Sequence, residues 1–331
     1  MYYKESKLIF EEIKKAKKIL LNCHRSPDPD SVASNLALYQ VLKHFGKEIK
    51  IISSDDIQKN LLFLQSTEKI DKVDMLNFDY SSYDLFIVLD SSSLDQAIGI
   101  KSPKLPEIPL IIIDHHVTNE NYGKINLVDH VSSTCEVLYK MFTDWDVKFT
   151  PQLATILLTG IYSDTVSYQT PNTGVDTFFI SSELLRLGAD KDKIVLNLFH
   201  SYDFKLVKFW GEMLDRMRID EEHYFVWVAI PFEVFSDFGK PKEAKSLAAN
   251  IIFRTIKDTR FCIVMVEQKR GIMNLSFRTR YDFDVSKIAQ ELGGSGHTTS
   301  AGAWFEFENF DKAVEKVLNV ARKYAKEYKK V

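Results

Sequence analysis

The chain has 331 residues with 43 Lys+Arg against 46 Asp+Glu, a formal charge of −3 and a pI near 6.3; that balance excludes a basic coat or arm for long nucleic acid. With 45% hydrophobic and 12% aromatic residues it is neither disordered nor fibrous, and its length suits two domains with real cores. The three cysteines, Cys23, Cys135 and Cys262, are odd in number and widely spaced, which argues against a disulfide framework or a thiolate zinc site and for a reducing compartment.

Along the chain, residues 6–16 read as an amphipathic helix and 18–23 (KILLNC) as a short buried strand. Val32, Leu36, Leu38, Val41, Leu42 and Phe45 give residues 31–45 a helical period, with Gly46 to stop it. Residues 49–53 (IKIIS), 85–90 (LFIVLD) and 110–114 (LIIID) are unbroken β-branched or apolar runs, the pattern of strands covered on both faces of a parallel sheet. Helical segments lie between them, so the predicted fold is α/β, with an N-terminal doubly wound, mainly parallel sheet. Residues 174–218 turn helical and polar and are expected to connect domains. Beyond them come predicted strands at 223–230, 261–267, 271–280 and 303–307. Helices at 242–256, at 285–292 and from 311 onward, with a Gly-rich turn before the last strand, complete a second, smaller α/β domain. Charge follows the same division: residues 1–185 carry 18 Lys+Arg and 25 Asp+Glu, a net of −7, and residues 186–331 carry 25 and 21, a net of +4. An acidic half suits cations and a basic half suits an anionic ligand. The N-terminal twenty residues are charged where a signal peptide is apolar, and no apolar run nears the ~20 residues of a membrane helix. A cytoplasmic protein with no membrane partner is expected.

The carboxylates and histidines fall at strand ends. His24, Asp28 and Asp30 (NCHRSPDPDS) follow the first strand, Asp90 ends another, Asp114, His115 and His116 end a third, and Asp164 (GIYSDT) follows an apolar segment. In an open α/β sheet ligands collect outside the carboxyl ends of the strands, so all of these are expected to meet in one crevice. So many carboxylates and imidazoles together need cations, and a His/carboxylate set without thiolate suits Mn²⁺, Fe²⁺, Co²⁺ or Mg²⁺. Two ions roughly 3.5 to 4 Å apart share a bridging carboxylate and activate a water for in-line attack on phosphorus. Taken singly, Asp28 or Asp30 could simply cap the helix that follows, and Asp90 or Asp114 could be plain turn residues. The agreement of four segments favours a site.

The ordered set HRSPDPDS, VLDSS, IDHH and GIYSDT resembles the four motifs of the DHH phosphoesterase superfamily, whose signature tripeptide is here Asp114, His115 and His116. In the second half, SFRTR followed by DVSKIAQELGGSGHTTSAG resembles the DHH-associated domain with its Gly-rich His motif, so the resemblance covers nearly the whole chain; it is to the stand-alone NrnA-like branch. It implies one metal on His24, Asp28 and Asp90 and another on Asp30, Asp90, His115 and Asp164, with Asp90 bridging and Mn²⁺ the first expectation. His116 would face the phosphate as a donor or general acid and Asp114 would orient an imidazole, giving His116, Asp90 and Asp114 as the catalytic set. The implied domains are a metal-binding catalytic domain over 1–185, a helical linker over 186–220 and a substrate-binding domain over 221–331.

In the second half, Gly293, Gly294 and Gly296 let the backbone approach an anion and aim N–H groups at it. His297 and Arg278 add charged donors, and Arg278 can grip a phosphate in two places. Ser295 breaks the family's run of four glycines; a left-handed backbone there would cost about 1 kcal/mol or more. Tyr168 offers a ring to a base, beside an ordinary packing role. The activity implied is manganese-dependent hydrolysis of short nucleotides by a phosphodiesterase or 3′–5′ exonuclease. Nanosized oligoribonucleotides, 3′,5′-adenosine bisphosphate (pAp) and linear or cyclic dinucleotides are the candidate substrates. The alternatives are an inorganic pyrophosphatase or exopolyphosphatase, which share the N-terminal motifs, and a nucleotide sensor without turnover. The expected partners are the short substrate and, as an open alternative, a second copy in a homodimer, with no long duplex.

Overall fold

The structure is a computed structural model that describes all residues except 102, 105, 242–243, 252–254, 281–282 and 328–331, with the backbone alone at 246, 247, 251, 297 and 327. The chain divides into two compact units, Met1–Ser201 and Tyr202–Val331. Their boundary falls inside the stretch 186–220 expected as a connector, whose helices belong one to each unit.

The first unit is built on six strands, β1 (Lys18–Cys23), β2 (Glu48–Ser53), β3 (Ile70–Lys72), β4 (Leu85–Leu89), β5 (Leu110–Asp114) and β6 (Ile125–Val128). They are all parallel and ordered β3-β2-β1-β4-β5-β6. The order runs outward in two directions from the β1/β4 pair, which makes that pair the topological switch point where ligands of such sheets bind. Alternate residues serve opposite faces. Ile19, Leu21, Ile87, Leu89, Ile111 and Ile113 meet one core, while Leu20, Phe86, Val88, Leu110 and Ile112 meet the other. The first core is closed by α1 (Lys4–Lys15), α2 (Pro29–His44), α4 (Thr134–Asp144), α5 (Pro151–Asp164), α6 (Val175–Arg186) and α7 (Lys191–Phe199); the short α3 (Leu94–Ile98) serves the second.

Helix starts follow local chemistry. Asp28 caps α2 with Pro29 at its first position, Ser133 caps α4, and Thr150 caps α5 with Pro151 behind it. The sequence periodicity does not announce α4 or α5. Every residue of α4 from Thr134 to Phe142 is buried, and α5 is buried on most sides, so neither has the apolar stripe that marks a surface helix.

The second unit starts with α8 (Phe204–Asp215) and contains β7 (Arg218–Asp220), β8 (Phe225–Ile230), β9 (Phe261–Lys269), β10 (Ile272–Thr279), β11 (Ser295–His297) and β12 (Ser300–Glu306). Their order is β11-β12-β10-β9-β8-β7, antiparallel except for the β8/β9 pair. On one face lie α11 (Ser286–Glu291) and α12 (Phe310–Glu327), on the other α8, α9 (Phe232–Asp237) and α10 (Ala244–Ile251). The helix expected over 242–256 is α10; residues 242, 243 and 252–254 of that expectation lie outside the described residues.

The Gly-rich segment departs from expectation. It is a hairpin rather than a turn, with β11 paired to β12, and β12 begins at Ser300 instead of 303. Close strand approach is the reason: a Cβ added at Gly294 would stand 2.1 Å from the Gly302 carbonyl oxygen. The left-handed positions are Gly293 and Gly296, and Ser295 has no positive φ, so the expected penalty at Ser295 does not arise. Among the described residues no helix is long and apolar enough to cross a membrane.

Candidate metal centre

The turn after β1 supplies three residues. His24 follows the strand, and Asp28 caps α2 through Oδ1, which accepts the Ser31 N–H at 2.9 Å. Its other oxygen, Oδ2, lies 3.7 Å from His24 Nε2. Capping and site geometry therefore coexist on one carboxylate. Asp30 is fully buried, and its two oxygens accept the backbone N–H groups of Thr134 at 2.7 Å and Cys135 at 3.1 Å, the first residues of α4. These are N–H groups that a helix leaves unpaired, at its positive end.

Asp90 ends the β4 segment in a left-handed conformation, φ 57°, which Asp tolerates better than most residues. Its carboxylate is buried between two imidazoles: Oδ2 lies 3.6 Å from His24 Nε2 and Oδ1 lies 3.5 Å from His115 Nε2. The Thr134 hydroxyl donates to Oδ1 at 3.0 Å. Asp164 closes α5 with Oδ2 3.1 Å from His115 Nε2.

The imidazoles are oriented from behind. His24 Nδ1 lies 2.8 Å from the Arg25 carbonyl oxygen and His115 Nδ1 3.2 Å from that of Val131. A carbonyl only accepts, so each Nδ1 carries a hydrogen and each Nε2 is turned to the carboxylates. Although it lies 3.1 Å from Asp164 Oδ2, the buried His115 Nε2 makes no aligned hydrogen bond. An orphaned ring nitrogen among carboxylates fits a divalent cation. Donor atoms of His24, Asp28 and Asp90 lie within 4.8 Å of one another, as do those of Asp30, His115 and Asp164, and those of Asp90, Asp114, His115 and His116.

Asp114 is saturated by other partners. It accepts from His116 Nδ1 at 2.7 Å, Asn119 Nδ2 at 2.6 Å and the His115 N–H at 2.8 Å, and so fixes His116. The His116 side chain is 33% exposed against 7% for His24 and 9% for His115, which leaves it the most open imidazole of the cluster.

Charge is distributed unevenly. Burial by itself lowers the His24 and His115 imidazoles, but Asp28 and Asp90 around the first, and Asp164 and Asp90 around the second, raise both well above the usual range. Burial and then the neighbouring carboxylates raise Asp30; burial, only partly offset by His115, raises Asp164 to about 6. Burial also pushes Asp90 upward, yet the two imidazoles outweigh it and hold that carboxyl well below the usual range.

Tyr168, weighed from sequence between base stacking and ordinary packing, has aromatic neighbours. The chain leaves α5 through three consecutive left-handed residues, Val166, Ser167 and Tyr168. The Tyr168 ring then stacks on Phe178 at 5.0 Å and meets Tyr162 edge-on at 5.1 Å, so aromatic neighbours already take a face and an edge. In the second unit, Arg278 donates from Nε to Asn250 Oδ1 at 2.6 Å, and strand register sets Arg278, Ser300 and His297 in one transverse row. Thr134, Cys135, Asn119 and Gly160 were not singled out from sequence. The S-x-x-E spacing of Ser133 and Glu136 is the signal that could have located the start of α4.

Residues 18–161 match the DHH family, N-terminal domain, and residues 228–323 match the DHHA1 domain. The chain therefore carries a DHH-family N-terminal domain followed by a DHHA1 domain. Over 97% of its length the chain is 27% identical to the bifunctional oligoribonuclease and PAP phosphatase NrnA of Thermus thermophilus, covering 94% of that protein. Over 86% of its length it is 26% identical to the Bacillus subtilis protein of the same name, covering 88% of it. An exopolyphosphatase-related protein of Bacteroides fragilis superposes with a TM-score of 0.87 at 23% identity, over 98% of this chain and 97% of that one, and so has the same fold.

Two outcomes follow from the packing and charge of this DHH centre. A Cβ at Gly160 would lie 2.2 Å from Asp30 Oδ1 and 2.4 Å from Cys135 Sγ. Gly160→Ala should therefore cost about 2 kcal/mol by overpacking and lower Tm by roughly 5 °C in a thermal melt. Because the neighbouring carboxylates raise the metal-free imidazoles, these rings hold their protons to higher pH than free imidazoles do, and a cation must displace those protons. Calorimetry in buffers of different ionisation enthalpy should register proton release on metal binding, with affinity weakening as pH falls.

Proposed function

We propose that the chain is a metal-dependent phosphoesterase acting on short nucleotides: nanosized oligoribonucleotides, pAp, or linear or cyclic dinucleotides. The observation that most supports this is Asp90, whose two oxygens face two separate imidazole–carboxylate sets, as a carboxylate shared by two cations must. His24, Asp28 and Asp90 would hold one ion, and Asp30, Asp90, His115 and Asp164 the other. Mn²⁺ suits this mixed set, with Mg²⁺, Co²⁺ and Fe²⁺ as alternatives. When bound, the ions would supply an activated water and neutralise charge on the reacting phosphate.

The protein's own groups do the rest. The N–H groups of Thr134 and Cys135 hold Asp30, the Thr134 hydroxyl holds Asp90, and the carbonyls of Arg25 and Val131 aim His24 and His115. His116, with Nδ1 engaged by Asp114, offers Nε2 to the substrate as a donor to a phosphate oxygen or as a general acid. The DHHA1 unit would contribute nucleotide binding through Arg278, His297 and the backbone N–H groups at Gly293, Gly294, Ser295 and Gly296. The buried cysteines Cys23, Cys135 and Cys262 support a cytoplasmic setting, and similarity to the NrnA proteins supports the substrate class.

With Mn²⁺ supplied, the expected result is mononucleotides from a diribonucleotide, or AMP and phosphate from pAp. Consumption of pyrophosphate or polyphosphate alone would overturn the substrate assignment. Asp90→Asn should lower kcat by about a thousandfold or more, the several kcal/mol that metal catalysis supplies, and reduce the metal content measured by mass spectrometry from two ions per chain. Arg278→Ala is expected to raise KM while leaving kcat nearly unchanged.

A further inference from the structure

Among the described residues, part of one face of the DHHA1 sheet is exposed. In β12 the residues Ala301, Ala303 and Phe305 pack toward α11 and α12, so the alternate residues Ser300, Gly302, Trp304 and Glu306 belong to the opposite face. Ser300 pairs with Arg278 of β10, Gly302 with Ser276 and Trp304 with Asn274; these residues therefore share the side on which α10 packs. Trp304 is 61% exposed there, against 7% for Trp210. A side chain that large normally loses most of its surface to packing.

The same face carries cations. Lys245 of α10 donates from Nζ to the carbonyl oxygen of Leu275 at 3.1 Å, between the positions of Asn274 and Ser276. Burial and then the charge of Arg278 pull the Lys245 ammonium down to about 8, as expected of two like charges brought close. With a rise of about 3.3 Å per residue, the Ser276 row lies roughly 7 Å along the sheet from Trp304 and the Arg278 row roughly 13 Å. Gly302, with no side chain, keeps the surface between them low. The nearer spacing matches a base and a phosphate joined through one sugar, and the two long cationic side chains lie on the phosphate side of the Trp304 plate.

We propose that this strip is a nucleoside-monophosphate subsite, with the base stacked on Trp304 and the phosphate held by the long side chains of Lys245 and Arg278. It rests on the reading that the chain binds nucleotides and adds the contact to the base. Every base has a π-face, so the stack selects nucleotides over inorganic phosphates without choosing among bases.

The test titrates the full chain, as purified, with AMP and with ribose 5-phosphate, following tryptophan fluorescence and heat. AMP should quench the exposed indole and bind about tenfold tighter than ribose 5-phosphate. Trp304→Ala should bring AMP down to the ribose 5-phosphate affinity, Trp304→Phe should keep AMP within about threefold, and Lys245→Met should weaken both ligands alike. Equal binding of the two ligands by the wild type, or an AMP affinity unmoved by Trp304→Ala, overturns the subsite. So does a Trp304→Ala protein that loses a dimer on gel filtration while binding AMP as before, which would give the face to a second copy of the chain. Turnover is not read, so a chain that meets these expectations yet hydrolyses no nucleotide would overturn the activity and leave the subsite standing.

Discussion

Like charges cannot be buried side by side without compensation, and the N-terminal unit is arranged around that constraint. Asp30, Asp90 and Asp114 are all buried at the carboxyl ends of neighbouring strands or one turn beyond, where isolated carboxylates would be very costly. Each is compensated differently: Asp30 by two backbone N–H groups, Asp114 by an amide, an imidazole and a backbone N–H, Asp90 by a hydroxyl and two imidazoles. The strand order that reverses between β1 and β4 gathers these residues, so sheet topology and site electrostatics are one arrangement.

What the sequence reveals depends on how each element is buried. β1, β4 and β5 are legible because a strand covered on both faces must be apolar throughout. The three- and four-residue strands β3, β6 and β7 carry too few positions for any period. The candidate ligands are legible because His and Asp at strand ends are chemically distinctive. Their supports are not, since a backbone N–H such as that of Cys135, or a carbonyl such as that of Val131, is the same whatever the residue. The Asp30–Thr134 bond joins positions 104 residues apart, a pairing that only the tertiary fold creates. The crowding that requires glycine at position 160 is likewise a tertiary fact.

The second unit shows the same limit differently. A run of glycines reads as a loop, yet here it lets two strands lie close, and Ser295 fits because an extended residue needs no glycine. Trp304 reads from sequence as one more strand aromatic; its exposure emerges only from the register of β12. The division of charge, −7 over residues 1–185 and +4 over 186–331, matches a carboxylate cluster confined to the first unit and cations on the sheet face of the second.

Asp30 is where three helices converge: it belongs to α2, is held by the first N–H groups of α4, and lies against Gly160 of α5. A cation seated on it would act as a rivet through the helical layer as well as a reagent. Anything that binds only the folded chain deepens its stability with the logarithm of its concentration. Scarcity of the metal would then shorten the protein's life under heat or proteolysis as well as idle it, so that supply of one ion would govern both abundance and turnover.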